Sequence, residues 1–492
     1  MLTSSDYYSL LGVFRDATQE EIKRAYFDAA QRLHPDKNEA PGETEIFLDI
    51  QKAYDTLSNP EKRIQYDATL DPEEEILRPI VQRVSFSREN LVRLNENQLI
   101  YALLEWKPRK SENEFDTPPL NVCLVLDRST SMKGEKIEMV KASALHLIRN
   151  LKDDDLLSVV TFSDRAEVLI SAAAKHDRRK MESKIHTIQP KGGTEILQGL
   201  KLGLSEVRKK NAKERVNHII LLTDGQTYGD EDESLKLAEQ AESLGIGISG
   251  LGIGKDWNDT FLDALAGKTG SSSSYIAEPQ QIQDFLERKF QQLANVFAEN
   301  IELSYTESKH TKLTYAFRIQ PNEAHLPLEN PIKLGVILRD QPLQLLLEFE
   351  IQPDAVLEDE ISLLAGALKF MIPSLSLPNS RLRVSLLRKI SEKADFTPPP
   401  PLLINALISL NLYRMQEKAQ EDADSGKYDD ASRRLQYLAT HLLSQGERSI
   451  AKTVLLEAEH LQRKQELSEE GRKNIKYGTR ALLLSAVRGK DS

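Results

Sequence analysis

The sequence predicts a multidomain chain: an all-α N-terminal domain, a doubly wound α/β domain inserted in a β-sandwich, and a C-terminal α-helical bundle. Three observations lead there. The 492 residues are too many for one core and call for three or four domains. Between about residues 120 and 297, strand-like apolar runs alternate with amphipathic helical patterns, which implies a mostly parallel sheet with helices on both faces. Strand patterns also flank this stretch on both sides. The two preceding strands are not stable alone, so they are expected to join the later ones in one sandwich.

In chain order, residues 1–70 read as helical. Thr18 with Glu21 forms a capping box, and Ile22, Ala25, Tyr26, Ala29, Ala30 and Leu33 recur at helical spacing. Pro35 ends that helix, because the residue before a proline avoids the α region. A second helix carries Ile46, Ile50, Ala53, Tyr54 and Leu57 on one face, and Asn59 caps a short last one. Residues 71–80, with the acidic DPEEE, read as a linker. The sandwich is assigned to 81–116 plus 298–393, from runs such as LIYALLEW, KLTYAFRIQ and LQLLLEFEI. The α/β domain takes 117–297, with strands NVCLVL, LLSVVTF, HIILLT and IGISGLGI. A proline-rich link, 394–401, precedes the helical residues 402–492, in which GKYDDA resembles the turn of tetratricopeptide-like hairpins.

Hydrophobic and charged contents of 40% and 29% are those of a soluble globular protein. A net charge of −11 argues against bulk nucleic-acid binding through phosphates. The single cysteine, Cys123, excludes an internal disulfide framework or a multi-cysteine zinc module, and its apolar run makes it a core residue. The N-terminus lacks the pattern of a secretory signal, and no apolar stretch approaches the roughly 18 residues of a membrane span. A cytoplasmic location is expected.

Two places carry chemistry. The first is RLHPDKN, in the loop after the capped helix. With DYYSLLGV, EEIKRAY and QKAYDTLSNPEKRIQYD around it, the first 70 or so residues resemble a J-domain. The resemblance implies binding to a DnaK-type chaperone and stimulation of its ATPase, with His34, Pro35 and Asp36 carrying the contact. Pro35 would limit the entropy lost on binding, Asp36 would pair with a cation, and Lys23, Arg24 and Arg32 would supply steering charge. No glycine/phenylalanine-rich linker or zinc module follows.

The second is CLVLDRSTSMKG, where Asp127, Ser129 and Ser131 leave a buried strand together. Such residues serve as helix caps or as half of a metal site. Capping alone does not require Thr194, in PKGGTE, or Asp224, which follows HIILLT; sites in doubly wound folds form at the carboxyl ends of strands, on the edge these residues share. Carboxylates and hydroxyls form a hard oxygen set suited to Mg²⁺. DRSTS, GGT and TDG together resemble a von Willebrand factor A (VWA) domain with an intact metal-ion-dependent adhesion site, over roughly 117–297. The resemblance implies that Ser129 and Ser131 ligate Mg²⁺ (or Mn²⁺) directly. Asp127, Thr194 and Asp224 would do so directly or through water, with an open position for a partner's Asp or Glu. Arg128 either biases the site towards acidic partners or faces solvent.

Other signals are set aside. Gly245, Gly247 and Gly250 match a dinucleotide pattern but continue into a strand instead of opening a helix. GKT at 267–269 lacks the earlier glycine of a phosphate loop, and the SSSS after it reads as a turn. Asp153, Asp154 and Asp155 read as a solvated helix-to-strand turn. No nucleophile or acid–base arrangement is evident, so a non-enzymatic co-chaperone or adaptor is expected, its VWA site holding a protein client. The rival reading is an adaptor that presents substrates to an AAA+ ATPase, the J-domain being secondary.

Overall fold

The computed structural model describes residues 7, 11, 19–33, 43–59, 62–63, 66, 79–109, 117–172, 177–226, 229–353, 360–375, 377–392 and 398–488. They fall into two compact units, Met1–Pro79 and Ile80–Ser492.

In the first unit, α1 (Gln19–Leu33) packs against α2 (Glu43–Leu57). Leu11, Ile22, Ile50, Ala53 and Leu57 form its core. Stacked rings close it, Tyr26 on Tyr54 at 4.2 Å and Tyr7 on Tyr66 at 4.3 Å between centroids. Asn59 caps as expected, its side chain accepting from the Lys62 N–H at 3.2 Å. Thr18 lies outside the described residues.

The second unit opens with β1 (Ile80–Phe86), β2 (Asn90–Val92) and β3 (Gln98–Pro108). The inserted domain follows: β4 (Leu120–Asp127), α3 (Glu135–Asn150), β5 (Leu156–Phe162), β6 (Ala166–Ile170), α4 (Arg178–His186), α5 (Ile196–Arg208) and β7 (Val216–Thr223). It continues through α6 (Glu231–Ser243), β8 (Gly247–Ile253), α7 (Asp259–Lys268), β9 (Ser273–Ile276) and α8 (Ile282–Ala294). Its six strands run β6-β5-β4-β7-β8-β9, all parallel except β6. Every residue of β4, β5 and β7 is buried, because helices cover both faces, and this is why these strands read as unbroken apolar runs. The thiol of Cys123 is buried among them and pushed up to about 12 by desolvation.

The chain then returns to the sandwich with β10 (Val296–Thr306), β11 (Thr311–Gln320), β12 (Ala324–His325), β13 (Ile332–Leu338), β14 (Leu343–Ile351), β15 (Glu360–Ile372) and β16 (Leu377–Ser391). One sheet has the order β1-β3-β14-β11-β12 and the other β13-β10-β15-β16-β2. Strands from before and after the insertion thus share both sheets, around one core containing Trp106, Phe297, Phe349 and Phe370.

Two sequence readings are corrected. Ser273 and Ser274 are not turn residues but open β9, since neighbouring β8 supplies a ladder that sequence pattern cannot show. Asp155 is not solvated: its carboxylate is buried and accepts from the N–H groups of Leu120 and Lys152 at 2.9 and 3.1 Å.

Arg318 joins the inserted domain to the sandwich. It is 2% exposed and donates to the carbonyls of Asn322 (2.7 Å), Leu334 (2.8 Å), Ser271 (3.0 Å) and Gly270. Gly335, at φ +90°, allows this approach; a side chain there would run into the Gly270 carbonyl.

Helices α9 (Pro401–Asp424), α10 (Tyr428–Ser444), α11 (Arg448–Lys464) and α12 (Glu469–Arg488) complete the unit. Bases on α12 meet acids on α7. Arg472 and Lys476 hold Asp259 at 2.7 and 2.6 Å, while Lys476 and Arg480 hold Asp263 at 2.8 and 3.0 Å. Burial alone would raise both carboxyls, but these cations outweigh it and keep them below their ordinary 3.8. A carboxyl depressed on folding contributes stability that is complete above its unfolded value and lost as pH falls below it. Replacing Arg480 with Met should cost about 3 kcal/mol in denaturant unfolding near pH 7. The gap to wild type should narrow as pH falls below 3.8.

Candidate metal centre

Strands β4 and β7 are parallel neighbours, Leu126 opposite Leu222, so Asp127 and Thr223–Asp224 leave the sheet side by side. The chain after β4 turns at once, through a short 3₁₀ segment at Thr130–Met132. The Asp127 carboxylate is fully buried and accepts the Ser129 N–H on Oδ1 and the Thr223 hydroxyl on Oδ2, each at 2.7 Å. Burial, with a smaller contribution from the charge of Asp224, pushes it up to about 6, against the pull of the Thr223 and Ser129 bonds.

Hydroxyls link the two acids. Ser129 Oγ and Ser131 Oγ are 2.9 Å apart, and Ser131 donates to Asp224 Oδ1 at 2.7 Å. The other oxygen of Asp224, Oδ2, accepts from the ammonium of Lys136. Thr194 stands against the residue after Asp224: its Oγ1 is 3.0 Å from where a side chain on Gly225 would begin. The GGT loop is laced to the first turn, since Thr130 donates to the Gly192 carbonyl through its N–H (3.1 Å) and hydroxyl (2.8 Å). Asp127, Ser129, Ser131 and Asp224 therefore share one hydrogen-bonded cluster, and Thr194 adjoins it.

Three participants escaped the sequence reading. Thr223 anchors Asp127, Lys136 pairs with Asp224, and Asp164 accepts the Gly193 N–H at 2.7 Å. A hydroxyl ending the apolar run of β7 was the available signal for Thr223; Lys136 and Asp164 gave none. Arg128 is a correction. It does not face solvent but is 7% exposed and paired with Glu167 at 3.3 Å.

Among the described residues no three His, Cys, Asp or Glu side chains gather into a metal-holding group. This cluster offers two carboxylates and hydroxyls, with no imidazole or thiolate among them. Two buried acids joined through hydroxyls, the Asp127 carboxyl raised by burial, fit a hard divalent cation of the Mg²⁺ or Mn²⁺ kind.

In the first unit, Lys23 and Arg24 are exposed on α1. Phe27, one turn on, is 57% exposed and was not anticipated. Arg32 belongs to α1, but its side chain, like His34, Pro35 and Asp36, lies outside the described residues. No described helix is long and apolar enough to cross a membrane.

Comparison with known proteins follows the same division. Family profiles match a DnaJ domain at residues 6–67, a von Willebrand factor type A domain at 121–288 and a Sll0103-like, C-terminal alpha-helical domain at 401–485. Protein sll0103 of Synechocystis sp. (strain ATCC 27184 / PCC 6803 / Kazusa) is 31% identical over 384 residues, covering 76% of this chain and 90% of that protein. The chaperone protein DnaJ of Methanosarcina thermophila is 54% identical over 67 residues, 14% of this chain and 17% of that protein. Among solved structures, a von Willebrand factor type A protein from Catenulispora acidiphila aligns with a TM-score of 0.64 at 14% identity, over 82% of this chain and 96% of that one. The chain carries a J-domain, a VWA domain and a C-terminal helical domain.

Removing the Thr223 hydroxyl leaves a buried carboxylate oxygen without its donor. Thr223→Val should therefore lower stability by about 1–3 kcal/mol, read by denaturant unfolding.

Proposed function

Since the chain belongs to the family of Synechocystis sll0103 and also carries a J-domain, we propose that it recruits a DnaK-type chaperone to a protein held at the VWA domain. The domain combination supports a co-chaperone or adaptor role in general. The observation that carries the specific reading is the buried cluster of Asp127, Ser129, Ser131 and Asp224, with Thr194 beside it. These five residues would hold Mg²⁺ or Mn²⁺. When bound, the ion supplies a Lewis-acidic position for an Asp or Glu of the client. Around it, Thr223 orients Asp127, and the lacing of Thr130 to Gly192 keeps the loops in place.

At the J-domain, His34, Pro35 and Asp36 contact the chaperone, while exposed Lys23 and Arg24, with Arg32, steer its approach. Joining both sites in one chain raises the chaperone's effective concentration at the captured client.

Single-turnover ATP hydrolysis by the cognate DnaK-type chaperone should accelerate with the wild-type chain and not with His34→Gln. No acceleration by either would sink the J-domain reading, and co-purification with a ring-forming ATPase would favour the AAA+ adaptor.

Asp127→Ala should weaken Mg²⁺ binding, measured calorimetrically, by at least about 10–100-fold. Client capture should be lost with ATPase stimulation intact; equal capture by both proteins would remove the metal from the reading.

Protons compete with metal for Asp127. Mg²⁺ affinity should therefore decline as pH falls through about 6, which a calorimetric titration across that range reads directly.

A further inference from the structure

A second polar site lies at the opposite end of β7 from Asp224, where the inserted domain rests on the sandwich. A cavity of about 30 Å³ opens between His218, Ser271, Lys289, Gln292, Arg318 and Asn322. No carboxylate lines it. His218 is buried, its Nε2 in a hydrogen bond with Ser249 Oγ at 2.9 Å. Arg318 donates to carbonyl oxygens, which occupy four of its five N–H groups and leave one on Nη2; outside the cavity, Glu323 also favours its charge. Lys289 has no acceptor and no acid paired with it among the described residues.

These bases oppose one another. Burial and the nearby Arg318 push the Lys289 ammonium down to about 8, and burial with Lys289 holds His218 neutral. Three basic side chains line one void that no carboxylate lines, so the cavity itself is short of negative charge. The chemistry that completes it is a small anion accepting N–H and O–H donors. The volume restricts the choice: a water needs about 10–15 Å³ of such space, so 30 Å³ holds one small ion or two waters and no organic ligand.

We propose that this cavity binds a monatomic inorganic anion of chloride size, bridging Lys289 of α8 and Arg318 of β11. The ion ties the last helix of the inserted domain to the sandwich and stabilises the junction between them.

The test is thermal unfolding of the full chain in sodium chloride and in sodium gluconate at matched ionic strength, for wild type and Lys289→Gln. Wild type should gain about 2 °C or more, saturably, with chloride. The variant should unfold at one temperature in both salts, above wild type in gluconate, because it no longer buries an uncompensated charge. Equal wild-type midpoints in the two salts, or a chloride response that survives in Lys289→Gln, would overturn the proposal. A bromide-soaked wild-type crystal gives a readout that does not depend on the variant. An anomalous peak between Lys289 and Arg318 supports the site; bromide found only elsewhere refutes it.

Discussion

The guanidinium of Arg318 donates to main-chain carbonyls of two domains at once, and the arrangement of the larger unit follows from that bond set. Gly270 and Ser271 belong to the turn between α7 and β9, Leu334 and Asn322 to the sandwich. Main-chain carbonyls are not mobile partners, so the bonds locate the end of α7 against β11 and β13. The same helix is gripped near its start by α12, through Asp259 and Asp263. Three domains therefore meet on one ten-residue helix. That helix also follows β8, and so starts from the same carboxyl edge of the sheet that presents the acidic cluster.

Buried acids in this unit are handled in contrasting ways. Asp259 and Asp263 are neutralised by Arg and Lys from another domain and serve to fasten it. Glu299, in the sandwich, has an unpartnered Oε1, and desolvation pushes its carboxyl up to about 8. Asp127 and Asp224 are linked to hydroxyls and to each other's neighbours, and among the described residues the side chain of opposite charge against them is Lys136. An acid pair bonded mainly to hydroxyls is poorly explained as a fastener, and a perturbed carboxyl such as that of Asp127, within a defined constellation, is what functional sites show.

Much of this was legible from residue order. The alternation of apolar runs with amphipathic helices disclosed the inserted sheet, because strands buried on both faces leave continuous hydrophobic stretches. The motifs DRSTS, GGT and TDG marked the cluster because strand ends are fixed by topology. What stayed hidden depended on neighbours distant in sequence. The antiparallel edge strand β6 has a half-exposed pattern, and serine-rich β9 exists because β8 pairs with it. Strand β15, EISLLAGALKFMI, mixes small and polar residues and gains its place from β10 and β16 on either side. Arg128 looked like a surface residue until Glu167, from the unrecognised β6, supplied its partner.

The insertion also imposes a schedule on synthesis. Hairpin β1–β3 is made early, yet the strand that covers the free side of β3 begins only at Leu343. At about 5–20 residues per second, the ribosome takes roughly 10–50 s to cross the intervening chain. For that interval an apolar ladder edge of eleven residues, Gln98–Pro108, waits unpaired, the kind of edge on which nascent chains aggregate. The segment already emerged ahead of it is the J-domain. A chain arranged this way completes its J-domain in synthesis before that edge is exposed.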